Sequence, residues 1–390
     1  MLEKAMKMKE ELVEHRRWLH AHAETGFELH RTADYVCRQL EDMGYLPRRV
    51  ERCGIVVDHN RSEGPTILLR ADMDALPIVE ETNLEFSSQT GKMHACGHDL
   101  HTAMLLGAAK LLVNEDLPGN VRFLFQPAEE LLEGAKDMID SGVLEGVDGA
   151  MMIHVALAPL PTGMAIVSSP GVSAPAADYF TIRIQGKSCH GSAPQDGVDP
   201  IPAAAQILLA IQNIQTRELG LNDRAVLTIG SIHGGTAANV IADTVEMRGS
   251  LRTADENVRQ KLHTRMTEIV SSMSTVFRCK GEITFDSGCP CLLNDKTMSD
   301  LAARCLKEAL GENLAKSTLE LNPEGSPTAG GSEDFSYISQ QVPSVMVAVC
   351  AGNSEHPLHH PQVVFDENAL PHGAAAYASV AVEYLNNFTK

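Results

Sequence analysis

Thr66-Ile67-Leu68-Leu69-Arg70-Ala71-Asp72-Met73-Asp74-Ala75-Leu76-Pro77 sets the fold class. Residues 66–69 are a short apolar run behind Gly64-Pro65, the pattern of a buried strand. Charge begins directly after it, at Arg70, Asp72 and Asp74, and the carboxyl ends of strands are where α/β proteins collect functional groups. The same alternation recurs on both sides. Val36, Leu40 and Met43 sit at helical spacing, with Gly44 placed to stop the helix. Met104, Leu105, Ala108, Leu111 and Leu112 repeat at three and four, so a helix follows residue 99. Val121 to Phe125 and Ala150 to Ile153 read as strands. Strands alternating with helices predict an α/β domain with a mostly parallel sheet.

The pattern breaks at Ser168-Ser169-Pro170-Gly171-Val172-Ser173-Ala174-Pro175, which is rich in small residues and Pro and reads as a linker. Beyond it, residues 178–185 alternate as a strand. Helical spacing of Val198, Ile201, Ile207, Leu208, Ile211 and Ile214 follows, then strands near 226–232 and 244–251. Val258, Leu262, Met266, Ile269 and Met273 mark a second helix. A second break comes at Ser287-Gly288-Cys289-Pro290, after which the α/β pattern returns, with a strand at 344–350 and a closing helix from about Asn368. The expected organisation is an α/β domain in two parts, 1–177 and 289–390, interrupted by an α+β domain at 178–288.

Composition excludes several classes. Apolar residues at 44% and charged residues at 21% are ordinary globular usage, which excludes disorder and fibre. No apolar run is long enough to span a membrane. The start, MLEKAMKMKEELVEHRRWLH, is charged throughout and does not read as a secretory signal. A net charge of −19 repels phosphate backbones and argues against nucleic-acid partners. Nine Cys, none in CxxC spacing, fit a reducing cytoplasm with mostly inert thiols.

His is the informative residue type. Eleven of the sixteen His gather at 15–30, 94–101 and 356–372, with singles such as His154, His190 and His233 between. His94-Ala95-Cys96-Gly97-His98-Asp99-Leu100-His101 packs five donors into eight residues at a helix start. Thiolate and imidazole suit zinc and similar metals, and Gly97 lets the backbone turn so that neighbours converge. Asp72 and Asp74 read as metal ligands, as supports for a ligand His, or as a solvated loop. Gln126-Pro127-Ala128-Glu129-Glu130 ends another strand. Paired carboxylates permit one to hold metal while the other takes a proton; an acidic first helical turn is the plainer alternative. His154 closes a further strand. His356-Pro357-Leu358-His359-His360-Pro361 is a rigid loop, ligand-bearing or merely a surface turn. Taken together, strand ends would present Asp, Cys/His, Glu/Glu and His to one crevice. That is more donors than one tetrahedral ion needs, which predicts two metals sharing a bridging ligand.

Across nearly the whole chain the sequence resembles the M20-type metallopeptidases, in the amidohydrolase branch of hippurate hydrolases, N-acyl-amino-acid aminoacylases and auxin-conjugate hydrolases. The resemblance rests on RADMDALP at 70–77, HACGHDLH at 94–101, QPAEE at 126–130, MIHV at 152–155, HGSAP at 190–194, GVDPI at 197–201, GGTAANVI at 234–241, GGSEDF at 330–335 and PLHHP at 357–361. It implies two divalent ions per subunit, zinc or manganese first and cobalt or nickel next. Their ligands would be Cys96, His98, Glu130, His154 and His359, with Cys96 bridging. It further implies Glu129 as general base and Asp74 as a supporting carboxylate. The inserted domain would be a lid that also forms a homodimer, bringing His190 and Asn239 to the reaction centre, His190 in the partner's site. The implied substrate is a small N-acyl amino acid, with a dipeptidase or carboxypeptidase as the alternative and a metal-free binding protein as the alternative of another class. The sequence departs from the pattern at His20-Ala21-His22-Ala23-Glu24, where Ala replaces Pro, and at 155–159, which lacks an aromatic. Both departures bear on pocket walls and so on substrate class.

Overall fold

A computed structural model describes residues 1–60, 63–323 and 331–388. Gly330 of the 330–335 stretch lies outside the described residues. The chain divides into two compact units: 1–173 with 292–327 and 333–390, and 174–291 with 328–332.

The first unit is built on an eight-stranded sheet. Its order is Arg48–Val50, Gly54–Asn60, Asn120–Gln126, Thr66–Asp72, Gly149–Ala156, Ser344–Cys350, Ala165–Val167, Ala315–Ser317. The four central strands are mutually parallel. Antiparallel pairing occurs toward the margins. The strand expected at 66–69 runs on to Asp72, so Arg70 and Asp72 are strand residues. The presumed linker near 168–175 holds a short strand, Gly171–Ala174, paired with Leu292–Asn294.

Topology locates the crevice. From Thr66–Asp72 the chain moves to the neighbour on one side, Asn120–Gln126, and then to the neighbour on the other, Gly149–Ala156. Such a reversal leaves an opening at the carboxyl ends of the strands. Here the two strands also part company: their ladder ends at the Arg70–Met152 pair. Beyond it, the Tyr377 hydroxyl donates to the Arg70 carbonyl (2.6 Å) and accepts from the Ile153 N–H (2.8 Å).

The helix His98–Leu112 covers this region. Every residue in it but Lys110 is buried, as expected of a helix that is apolar on all sides. It packs against the Ala-rich helix Leu370–Phe388. Gly107 permits the approach, since a Cβ there would lie 2.6 Å from Leu12 Cδ2 and 2.9 Å from Ala374 Cβ.

The second unit is an antiparallel four-stranded sheet, ordered Ala225–Gly234, Thr244–Thr253, Ala176–Gln185, Lys280–Cys289. Two helices, Pro200–Arg217 and Glu256–Val276, pack on it, and each is capped by an Asp at its N-terminus (Asp199 and Asp255). Phe180, Ile182, Ile184, Ile207, Ile211, Met247, Leu262 and Met266 belong to its separate core.

Tyr377→Phe tests the splayed strands. It keeps the ring but strips two buried backbone groups of their partner, and should cost about 1–3 kcal/mol. The check is a lower urea midpoint with an unchanged slope; an unchanged midpoint would mean the hydroxyl does not bridge the strands.

Candidate metal centre

Backbone turns deliver the donors. Gly97 precedes the helix His98–Leu112 with φ 87, and a Cβ there would sit 2.4 Å from Val155 Cγ2. Only glycine suits both constraints, and the turn lets Cys96 and His98 face one point. These two therefore come from a helix entrance rather than from a strand end. Glu129 and Glu130 lie in a single 3-10 turn, Glu129–Leu131, flanked by Ala128 (φ 56) and Leu132 (φ 58). His154 lies within the strand Gly149–Ala156. His359 has φ 65 in the irregular loop between Pro357 and Pro361. Left-handed conformations at non-glycine residues are strained and collect where surroundings enforce them.

The five expected ligands converge. Cys96 Sγ is 3.5 Å from His154 Nε2 and 3.3 Å from His359 Nε2. His359 Nε2 is 3.5 Å from Glu130 Oε1, and His98 Nε2 is 3.9 Å from the same oxygen. Two donor groups, Cys96–His98–His154 and Cys96–Glu130–His359, share the Cys96 sulfur. Two of the imidazoles are set to offer Nε2: His98 Nδ1 faces the Asp74 carbonyl at 2.8 Å and His154 Nδ1 the Val155 carbonyl at 2.7 Å. Carbonyls only accept, so each Nδ1 carries a proton, and Nε2 is the ring atom left to face the cluster. His98 Nε2 and Glu130 Oε1 are buried without a hydrogen-bond partner. Orphaned donor atoms aimed at one point fit metal ions.

Charge agrees with that fit. Burial opposes a Cys96 thiolate, but the charge of His154 and hydrogen bonds from His154 and His359 outweigh it and hold the thiol well below its usual range. Burial and the Cys96 charge push Glu130 up to about 8. Burial, then Glu333, Asp334 and Glu130, hold Glu129 well above the carboxylate range. Divalent cations would relieve this crowding of acidic groups.

Asp74 acts through backbone: its two oxygens accept from the Glu129 N–H (3.1 Å) and the Glu130 N–H (3.2 Å). Asp72 is fully occupied elsewhere. It takes the Arg70 Nη1 at 2.6 Å and the His101 Nδ1–H at 2.6 Å. His101 Nε2 in turn accepts from the Val155 N–H at 2.8 Å, so this imidazole bridges the parted strands and has no nitrogen left for metal. Burial pushes it down to about 4, in keeping with a neutral ring.

His190 and Asn239 lie in the second unit. They meet on a two-stranded ladder in which Val240 pairs with His190 and the Gly191 N–H donates to the Asn239 carbonyl (2.8 Å). His190 is exposed, and its Nδ1 accepts from the Ser192 N–H at 3.2 Å.

Sequence reasoning gave no role to Glu333 and Asp334. Both are buried with Glu129, and the three offer carboxylate oxygens within 4.8 Å of one another. The only signal was their place in GGSEDF, some two hundred residues from the strands they join.

Peptidase family M20/M25/M40 has a sequence profile that matches residues 68–383. The chain is 37% identical to the N-acetyl-L-cysteine deacetylase of Bacillus subtilis over 93% of its length and 85% of that protein. It is 38% identical to thermostable carboxypeptidase 1 of Saccharolobus solfataricus, covering 96% of this chain and 95% of that one. The crystal structure of a dinuclear metal-binding peptidase of the M20 family from Bacillus subtilis superposes with a TM-score of 0.81. It is 33% identical and covers 98% of this chain and 99% of that one.

Behind the ligand loop, Asp99 Oδ2 binds Arg16 Nε (2.8 Å) and His20 Nδ1 (2.8 Å), and His20 Nε2 reaches Glu80 (3.1 Å). Burial pushes Glu80 up, but bonds from His20, Thr82 and the Ser88 N–H, with the charge of His20, bring it down to about 2 from an unfolded value near 4.5. A depressed folded pKa stabilises fully above 4.5, and the stabilisation fades as pH falls toward 2. Glu80→Gln should therefore lower the urea midpoint at pH 7, and its deficit against wild type should shrink between pH 4.5 and 2. A constant deficit would show that Glu80 is not ionised in this network.

Proposed function

The chain belongs to peptidase family M20/M25/M40, and from that membership we propose a metal-dependent hydrolase that cleaves the amide bond of N-acyl amino acids, releasing a carboxylic acid and a free amino acid. The convergence of Cys96 Sγ, the Nε2 atoms of His98, His154 and His359, and Glu130 Oε1 carries the proposal. These five side chains would hold two divalent ions, with Cys96 between them. Thiolate and imidazole favour zinc, while the carboxylates admit manganese, cobalt or nickel. Bound there, the ions would supply Lewis acidity toward the amide carbonyl and the attacking water.

The protein's own groups handle the proton. Glu129 takes it from the water as the oxygen attacks the amide carbon. It holds the proton while the C–N bond weakens and then passes it to the leaving nitrogen. Burial beside other carboxylates suits Glu129 to carrying a proton. Asp74, gripping the Glu129 and Glu130 N–H groups, keeps the two carboxylates in separate roles. His190 and Asn239 are assigned to the developing oxyanion, where one donor is typically worth about 3–4 kcal/mol. The inserted unit is assigned to pairing with a second copy. The exposed Val226 and Ile232 on its edge strand support that assignment.

The likeness to a carboxypeptidase supports a second substrate class, dipeptides, at the same centre. Turnover of N-acetyl and N-benzoyl amino acids against dipeptides, with each metal added, separates the two. Preference for dipeptides would overturn the N-acyl assignment.

Glu129→Gln should retain metal and lose about 10²–10⁴-fold in kcat. Glu130→Gln should instead lose metal, read by elemental analysis after dialysis. Equal loss of metal in both variants would contradict the separate roles. For His190, chains bearing His190→Ala and chains bearing Glu129→Gln, each nearly inactive, should regain activity when mixed and allowed to exchange subunits. Absence of recovery, with exchange confirmed, rules out a site shared across the dimer.

A further inference from the structure

Glu129 handles the proton in the proposed reaction, and two buried carboxylates next to it have no part in that chemistry. Glu333 and Asp334 are bonded differently. Asp334 is saturated with donors on both oxygens: Arg70 Nη2 (2.7 Å) and Gln126 Nε2 (2.9 Å) at Oδ1, Gln126 Nε2 (2.9 Å) and the Ala135 N–H (2.8 Å) at Oδ2. It is a joint between strands and loops. Glu333 is anchored through one oxygen: among the described residues, Arg70 Nη2 (3.0 Å) and the Phe335 N–H (2.9 Å) both meet Oε1. Its carboxylate is therefore fixed in place beside Glu129, within the 4.8 Å cluster, by contacts that among the described residues fall on Oε1.

We propose that Glu333 is a positioning residue for Glu129, a role that rests on Glu129 acting as the general base. A base must present one oxygen to the attacking water and keep that orientation while it carries the proton. A fixed anion at its side disfavours the rotamers that swing the Glu129 charge toward it. Arg70 offsets the repulsion of the resting state, since its guanidinium contacts both Glu333 and Asp334. The proton itself stays on Glu129 until the leaving nitrogen takes it, so the transfer needs no further acid or base.

Glu333→Gln, nearly isosteric, tests this in the full metal-loaded enzyme, with N-acetyl amino acids and dipeptides both offered. The expected result is a fall in kcat of about tenfold or more with KM within about threefold, the signature of an interaction made in the transition state. Metal content should match wild type, with kcat and KM read well below the variant's melting temperature. Unchanged kcat overturns the role, and so does a loss of kcat accompanied by lost metal, because Glu333 would then be a metal-holding group. If the Gln variant does not fold, Glu333→Asp, which withdraws the charge by one methylene, should show the same split and is overturned by the same results. Turnover of dipeptides alone would defeat the N-acyl assignment while leaving Glu333 fully tested. Turnover of neither by the loaded wild type overturns both.

Discussion

Two parallel strands, Thr66–Asp72 and Gly149–Ala156, stop pairing after Arg70 and Met152, and the site grows out of that parting. Backbone groups left open inside a protein must find partners. The Tyr377 hydroxyl serves the first pair, Arg70 C=O and Ile153 N–H. The His101 imidazole serves the Val155 N–H and ties it to the Asp72 carboxylate, while the Asp72 carbonyl accepts from the Thr102 hydroxyl. With the wedge filled, Asp72 and His154 are held apart at a fixed spacing, and the Cys96–His98 turn enters between them. Each strand stays straight because its other neighbour continues: Asp72 pairs with Gln126, and Ala156 with Cys350.

Charge follows the same geometry. Arg70 is wholly buried and contacts Asp72, Glu333 and Asp334. One guanidinium thus ties the strand that carries the ligand supports to the carboxylates beside Glu129. Its planar fork is what allows this, since Nε, Nη1 and Nη2 each reach a different partner. Buried ions cost desolvation energy that hydrogen bonds must offset, and removing one member of such a set typically costs about 3–5 kcal/mol. A hydrophobic filling would be more stable. The acidic surplus suits the proposed holding of cations and movement of a proton.

Local chemistry was legible in the sequence, and pairing across distance was not. RADMDALP, HACGHDLH and QPAEE each lie within a few residues of the turn that shapes them, so composition and periodicity located them. Gly97 could be assigned its turn because a glycine between two donors has few other uses. By contrast, nothing near Tyr377 marks its hydroxyl as a strand bridge, in a helix rich in Ala. His101 looked like a fifth donor because it sits at helical spacing from His98. Only the position of Val155 shows that both its nitrogens are taken. Asp72 likewise stood open between ligand, support and loop residue; it is a strand residue bonded to Arg70 and His101. The antiparallel margins of the large sheet were missed for the same reason: Arg48–Val50 and Gly54–Asn60 are short, and their direction is set by partners far along the chain.

Exposure gives the centre a direction. His98 is almost wholly enclosed, Glu129 and Glu130 are mostly buried, and the His359 side chain is 52% exposed. Within the first unit, solvent therefore reaches the donor cluster past His359. Glu129 lies on the inner side, among Glu333 and Asp334. That order matters for an amide. In the proposed reaction the reacting carbonyl would come in past His359, and its nitrogen would have to reach Glu129. A base at the open rim would be free to exchange its proton with bulk water. Set behind the donors, Glu129 would instead return it to the leaving nitrogen beside it.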